Sequence, residues 1–596
     1  MGRIEILHSS FLDLAGYKVT SAKTIEEAYK LKAEDITPIT GALPATIRIA
    51  ITLQRANNPQ LLLDLPWGER QKTIKQLNDS NSLWKTYGTS QADFDAAVDI
   101  IRNELGLTIL DSTNSDLITS AESRTIWIQL TNSEEFQTLF GLQPLQFDPT
   151  PGLSQIGWDG NFNIDERIRL DGVWLNFGGM IQPQAIDYAQ DTIYAPPQGP
   201  QSIGNSSSQK NGFSPNTLTS REYYNFPLHN KPQLPLGRVG LLASNIGEFT
   251  SNTKSNLQGS VDDYLRKLSI KDYPLITTKG TVDFPNEAVV GERDLDVSIV
   301  AAINPKSNIT LYPGGSSGNP QPYNSNSIYT GLQDATWDNS EAGIKVLSSS
   351  YGDNYFPSPN SPFNNAQKEL YADLALQGIT YFVASGDKGS NVDALNIKDP
   401  LGDSVSLANG LPNASFINNA YAISVGGTSL STKIQAESDP TLNPTSDNKY
   451  AVSRNLVEAA QNSDRETIWR LIKGGLKSPW ESLADNSLFI ESAWNEYELK
   501  DTTLVDFLSN SAGAGGVDPA QPIPKYQHDY GLTPRTTDTN NLPGRGIPDV
   551  SANAGGNSVY QIFNSTNNDL NFIGGTSAAA PLWAALAIQI NAIFSD

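Results

Sequence analysis

The stretch Phe572-Ile-Gly-Gly-Thr-Ser-Ala-Ala-Ala-Pro-Leu-Trp583 is a turn of small residues that runs directly into the apolar segment Ala578–Ile593. Ser577 therefore stands where a loop enters a buried helix, at the end where the first N–H groups lack intrahelical partners and the dipole is positive. Pro581 agrees with a helix start, because the first-turn N–H that proline lacks has no partner in any case. A hydroxyl in this place can be a presented nucleophile. Equally, Thr576 or Ser577 can simply cap the helix, a role both residue types fill readily. The choice depends on whether the rest of the chain supplies a base and a group to stabilise developing charge.

At 596 residues the chain is expected to hold more than one domain and to bury a large core. It contains no cysteine, which excludes disulfides, thiolate metal sites and a cysteine nucleophile. A net charge of −23 argues against nucleic acid or an anionic membrane as partner. It also suits work in acid, where many carboxylates are neutral and self-repulsion falls. Residues 1–10 lack a basic start followed by an apolar run, so no secretory signal is recognised, and no later stretch reaches ~18 uninterrupted apolar residues.

Residues 1–40 show little apolar periodicity and are expected to form a leader. From Leu43 to Tyr194 strands and helices form an α+β pattern: a strand at Thr46–Leu53, a helix at Gln91–Leu105 closing on Gly106, strands at Leu107–Leu110 and Thr125–Leu130, and a helix at Ser133–Phe140 ending on Gly141. The domain is placed at 41–195. Residues 196–215, rich in Pro, Gly and Ser, read as an exposed linker of the kind where proteolytic nicking concentrates. From 216 to 596 apolar strands alternate with helices: Arg238–Leu242, Ser260–Lys267, Glu292–Ile303, Ile309–Leu311, Ile344–Ser349, Asn364–Leu376, Thr380–Ala384 and Tyr421–Val425. That alternation predicts an α/β domain on a parallel sheet, with functional loops at the C-terminal strand ends. Residues 429–490 are expected to be a surface insertion.

A serine nucleophile needs a base, and the only histidines are His8, His229 and His528. None sits in a His-Gly-Thr setting, and a surface role suits each, which disfavours a His–Asp triad. Carboxylates remain. Glu292 and Asp296, in Gly291-Glu-Arg-Asp-Leu-Asp-Val297, are four apart and share a helical face. Two such groups resist double ionisation and titrate as a pair. The alternative is a solvated acidic helix start favoured by the dipole. Asp387, in Tyr381-Phe-Val-Ala-Ser-Gly-Asp387, follows a buried strand at the C-terminal sheet edge, where it is either a site residue or a turn aspartate.

Together, Gly-Gly-Thr-Ser577-Ala-Ala-Ala-Pro, Glu292-x-x-x-Asp296 and Ala-Ser-Gly-Asp387 occur in the order seen in sedolisins, the serine-carboxyl peptidases, and the chain resembles that family. Val346-Leu-Ser-Ser-Ser-Tyr-Gly352, Ser424-Val-Gly-Gly-Thr428, Glu491-Ser-Ala-Trp494, Gly513-Ala-Gly-Gly516 and Pro548-Asp-Val-Ser-Ala552 add to the likeness, which covers nearly everything after residue 40. Residues 43–194, with Tyr87-Gly-Thr-Ser-Gln-Ala-Asp-Phe94, resemble the family's activation propeptide.

The resemblance implies a subtilisin-like fold and an acid-acting, self-processing endopeptidase or tripeptidyl-peptidase on protein or peptide substrates. The propeptide would be its intramolecular inhibitor, and the place of action extracellular. It implies Ser577 as nucleophile, Glu292 as general base, Asp296 as the group that orients Glu292 and shares its proton, and protonated Asp387 as donor to the oxyanion. Such roles are chemically sound in acid, where a histidine of pKa ~6.5 is cationic while a carboxylate of pKa ~4 remains a base.

Two departures stand out. Where some relatives carry an extra glutamate and a tryptophan behind the pair, this chain has Val239-Gly-Leu-Leu-Ala243 and Tyr351. The family also implies calcium bound downstream of the nucleophile, and no ligand for it is found here. That second departure leaves a catalytically impaired, peptidase-like binding or scaffold protein as the alternative.

Overall fold

The computed structural model describes residues 2–15, 22–150, 153–177, 224, 226–228, 237–243, 257–279, 290–314, 327–338, 343–351, 357–387, 396–398, 404–406, 419–432, 489–494, 497–500, 503–506, 513–519, 521–536, 541–555, 560–564 and 569–595. The expected linker at 196–215, His229 and residues 433–488 of the expected insertion lie outside them.

The N-terminal domain is built on a four-stranded antiparallel sheet of β1 (Ala42–Leu53), β2 (Thr108–Leu110), β3 (Thr125–Asn132) and β4 (Leu170–Phe177), in the order β2-β3-β1-β4. The expected helix from Gln91 is present, continues as a wider turn over Ile100–Glu104, and stops before Gly106, whose φ of +68° suits glycine. Ser133–Phe140 opens on Asn132, whose side chain accepts from the Glu135 N–H while Glu135 reaches back, and ends on left-handed Gly141.

Residues 2–15 and 22–40 do not stand apart as a leader. Arg3–Ile6 pairs antiparallel with Phe162–Asp165, Ile36–Pro38 pairs with Leu145–Phe147, and Phe11, Leu14 and Ile25 are buried in the domain's core. Their elements are three to five residues long, too short to show a period, so packing rather than local pattern defines them.

The second unit holds an eight-stranded sheet. Its strands are β5 (Arg238–Ala243), β6 (Ile276–Thr278), β7 (Asn308–Pro313), β8 (Val346–Ser349), β9 (Thr380–Ala384), β10 (Ala422–Thr432), β11 (Phe489–Ala493) and β12 (Val550–Gly555). The order runs β6-β7-β5-β8-β9-β10, all parallel, and β10 then pairs with parallel β12 and antiparallel β11. The expected insertion at 429–490 therefore begins and ends inside the sheet, with Thr432 opposite Phe489.

Among the described residues, helices that pack against this sheet include α1 (Val290–Ile303), α2 (Ile328–Thr336), α3 (Pro362–Leu376) and α4 (Thr576–Ser595). α1 and α4 share one core with Val239, Leu241 and Val425, whereas α2 and α3 share another with the N-terminal sheet. Residues 576–594 are long and apolar enough to cross a membrane by composition, and more than half of this stretch is buried within the protein. Ala578, Ala580, Leu582, Ala585 and Ile588 belong to the core shared with α1, which accounts for the hydropathy as packing.

The two units meet over α2 and α3. Trp127 Nε1 donates to Gln333 Oε1 at 2.7 Å, and the Trp174 ring stacks on Tyr329 with centroids 5.3 Å apart. Arg55 and Arg124 reach from the N-terminal domain to Glu369 and Asp373 on α3. Gly172 lies so close that a Cβ there would stand 2.6 Å from the Ala366 nitrogen.

Candidate active site

Ser577 is in the first turn of α4 and 3% exposed. The helix is locked in depth by polar side chains as well as by apolar packing. Asn304, just beyond α1, donates to the Ala585 carbonyl at 2.8 Å, and Gln589 Nε2 donates to Asn304 Oδ1 at 2.7 Å. These bonds fix α1 and α4 side by side, and with them the residues at their first turns.

Glu292 and Asp296 occupy the first two turns of α1, at 4% and 1% exposure. That burial removes the reading of a solvated acidic helix start. Burial and the Asp387 charge push the Glu292 pKa up, while the nearby Ser577 and Ser350 hydroxyls hold it down. Burial is the largest influence on both members of the pair and raises the pKa of each. For Asp296 the adjacent Glu292 charge adds to the rise. Among hydrogen bonds to described residues, Glu292 Oε1 and Asp296 Oδ2 make none. A pair so placed holds at least one proton over a wide pH range, since two ionised carboxylates at one dry location are mutually unfavourable.

Ser350 follows β8 and bridges the two helices. Its Oγ lies 2.7 Å from Asp296 Oδ1 and 3.0 Å from the Ser577 carbonyl oxygen. The Ser350 hydroxyl can donate to Asp296 Oδ1 or to the Ser577 carbonyl, and as a donor it holds the pKa of the acid pair down.

Asp387 lies three residues beyond β9, next to β8 in the sheet, at the C-terminal strand edge. Its Oδ1 accepts from the Thr576 N–H at 2.8 Å and from Thr576 Oγ1 at 2.7 Å. Gly575, with φ +112°, clears the approach: a Cβ there would stand 2.7 Å from Asp387 Oδ2. The surrounding motifs form the floor. Ala514 N–H donates to the Gly386 carbonyl, Ser385 Oγ donates to the Ala514 carbonyl, and Trp494 N–H donates to the Gly427 carbonyl. Gly427 itself is wedged between Ala554, Trp494 and Thr576.

The four residues singled out from the sequence, Ser577, Glu292, Asp296 and Asp387, are therefore brought together. Ser350 and Thr576 join them without having been singled out. Of the histidines, His8 sits in the N-terminal domain beside Asp13, and His528 lies exposed on a short helix beside Asp529. Neither approaches Ser577 by any contact among the described residues. Among the described residues no group of three or more His, Asp or Glu side chains could hold a metal. No step is routed through calcium below.

The fold is subtilisin-like, and the chain belongs to the subtilase family, whose model matches residues 288–594. The sedolisin resemblance stands beside it. Kumamolisin of Bacillus sp. is 26% identical over 309 residues, covering 50% of this chain and 39% of that protein. Tripeptidyl-peptidase SED1 of Arthroderma otae is 26% identical over 409 residues, covering 62% of this chain and 53% of that one. The chain thus spans about half or less of the length of these curated relatives. Among solved structures, a Pseudomonas sedolisin, a serine-carboxyl proteinase complexed with pseudo-iodotyrostatin, is 18% identical with a TM-score of 0.39 and covers 64% of this chain and 81% of its own.

Proposed function

We propose that this chain is an acid-acting serine-carboxyl peptidase, made as a self-processing zymogen whose N-terminal domain is the intramolecular inhibitor. The observation that carries the reading is Ser577, in the first turn of α4, set beside a buried carboxyl, Glu292, one helical turn from Asp296. Ser577 Oγ attacks the carbonyl carbon of the scissile bond as its proton passes to Glu292. The resulting oxyanion takes a hydrogen bond from protonated Asp387. Collapse breaks the C–N bond, the amine leaves with the proton from Glu292, and an acyl-Ser577 ester remains. Water then repeats the sequence, giving its proton to Glu292 and releasing the acid.

Protonation states set the working range. The reaction needs a single proton on the Glu292–Asp296 pair, with Glu292 able to accept from Ser577, and a proton on Asp387; rising pH removes both, and action in acid rests on the family resemblance. The N-terminal sheet, docked on α2 and α3 through Trp127, Trp174, Arg55 and Arg124, supports its part as a bound inhibitory domain. Proteins or peptides as substrates and action outside the cell are parts of the same proposal that rest on the family resemblance.

Acidifying the purified chain to about pH 4 should cut it within residues 196–215, and Ser577→Ala should stay whole. Equal cleavage of the alanine variant in pure preparation would reject self-processing.

A further inference from the structure

Thr576, the residue before the nucleophile, makes three hydrogen bonds that together fix the state of Asp387. Its backbone N–H and its hydroxyl both donate to Asp387 Oδ1, at 2.8 and 2.7 Å. The Gly386 N–H donates to the same hydroxyl at 3.0 Å. A hydroxyl with one donor entering and its own proton leaving has a defined orientation. Thr576 is fully buried, so water does not compete for it.

We infer that Thr576 is a positioning residue for catalysis: by placing two donors on Oδ1 of Asp387 it forces the acid proton onto Oδ2, the oxygen that then donates to the oxyanion. Carboxylic acid oxygens differ in use. The one already receiving two hydrogen bonds is the carbonyl-like oxygen, and its partner carries the proton. Oδ2 is also the oxygen over which Gly575 leaves its space, since a Cβ at Gly575 would stand 2.7 Å from it. The same residue thus aims Asp387 and presents Ser577, so nucleophile and oxyanion donor are held by one turn of chain.

A second consequence concerns pH. Donors on a carboxylate favour its ionised form, so the Thr576 hydroxyl lowers the pH at which Asp387 loses the proton it needs. Among the described residues Glu292 is an ionisable group that interacts with this place, and the Asp387 charge raises its pKa. An ionised Glu292 opposes the ionisation of Asp387, and Thr576 works against it. The alkaline limit of activity is therefore partly set by a threonine that never titrates.

The inference rests on the peptidase reading above, and its test is arranged so that the two can fail separately. Thr576→Val keeps shape and loses the hydroxyl, whereas Thr576→Ser restores it. In peptide hydrolysis Thr576→Val is expected to lose about 10- to 100-fold in kcat with little change in KM. Its alkaline limb should move up by about 1 pH unit. Thr576→Ser should follow the parent in both. A valine variant with the parent's limb and kcat would overturn the inference. If valine prevents folding, Thr576→Ala is read in the same way. Independently of any activity, carboxyl carbon-13 NMR of the Ser577→Ala chain follows the Asp387 titration, assigned by its loss in Asp387→Asn. An Asp387 midpoint higher with Thr576→Val than without supports the inference even if no peptide is cleaved, and an unchanged midpoint rejects it.

Discussion

Replacing Asp296 by asparagine should make the protein more stable at neutral pH while damaging the site. Glu292 and Asp296 are 4% and 1% exposed and have raised pKa values, chiefly through burial. The folded state therefore binds more protons than the unfolded chain above the ordinary carboxyl range. The sign follows: the contribution to stability is full below about pH 4 and is lost as pH rises through the raised values. Each unit of rise corresponds to about 1.4 kcal/mol. One unit lost by pH 7 would lower Tm by about 3–6 °C for a domain of a few hundred residues.

Asparagine at 296 cannot ionise, and it also relieves Glu292 of a charged neighbour. In the Ser577→Ala background, which prevents self-cleavage, scanning calorimetry should show Asp296→Asn melting about 3–6 °C above its parent at pH 7. The gap should close by pH 4. A gap of the same size at both pH values, or of opposite sign at pH 7, would refute the argument that the pair is held protonated by burial.

Further outcomes follow from the same geometry. Ser350→Ala removes the bridge between Asp296 and the Ser577 carbonyl; because that hydroxyl lowers the pKa of both acids, its loss should move the acid limb of the pH–activity profile to higher pH and reduce kcat by about 10-fold. Gly575→Ala forces a Cβ to within 2.7 Å of Asp387 Oδ2 at a φ of +112°, and should cut kcat/KM by about 100-fold or more with the circular dichroism spectrum unchanged. Arg124→Met leaves the buried Asp373 with Arg55 alone and should weaken docking of the N-terminal domain by about 3 kcal/mol, seen as earlier urea unfolding of that domain in the Ser577→Ala chain.

The parallel sheet was legible because its strands are apolar runs separated by helices. Thr380–Ala384 is found with the bounds read from the sequence, and Arg238–Leu242 extends by one residue. Where local pattern was weak, the reading failed. The short elements of residues 2–40 carry no period, and their apolar residues acquire meaning only against Trp158 and Phe147, more than a hundred residues away. The ends of the expected insertion were missed because Thr428–Thr432 continues a strand whose partner begins at Phe489.

In the site, Ser577, Glu292 and Asp387 stand out because each breaks an apolar segment with a reactive group. Ser350 and Thr576 do not. They are ordinary hydroxyl residues whose partners lie 54 and 189 positions away. Only the fold brings such pairs together.

The central claim is that Ser577 is activated by a carboxyl pair rather than by histidine, and kcat/KM on an internally quenched peptide as a function of pH tests it most directly. The account predicts a bell on the acid side of neutral, abolished by Ser577→Ala and by Glu292→Ala and left intact when His229 and His528 are both replaced by alanine. Activity that peaks above pH 7, or that disappears with the histidines while surviving Glu292→Ala, would contradict it.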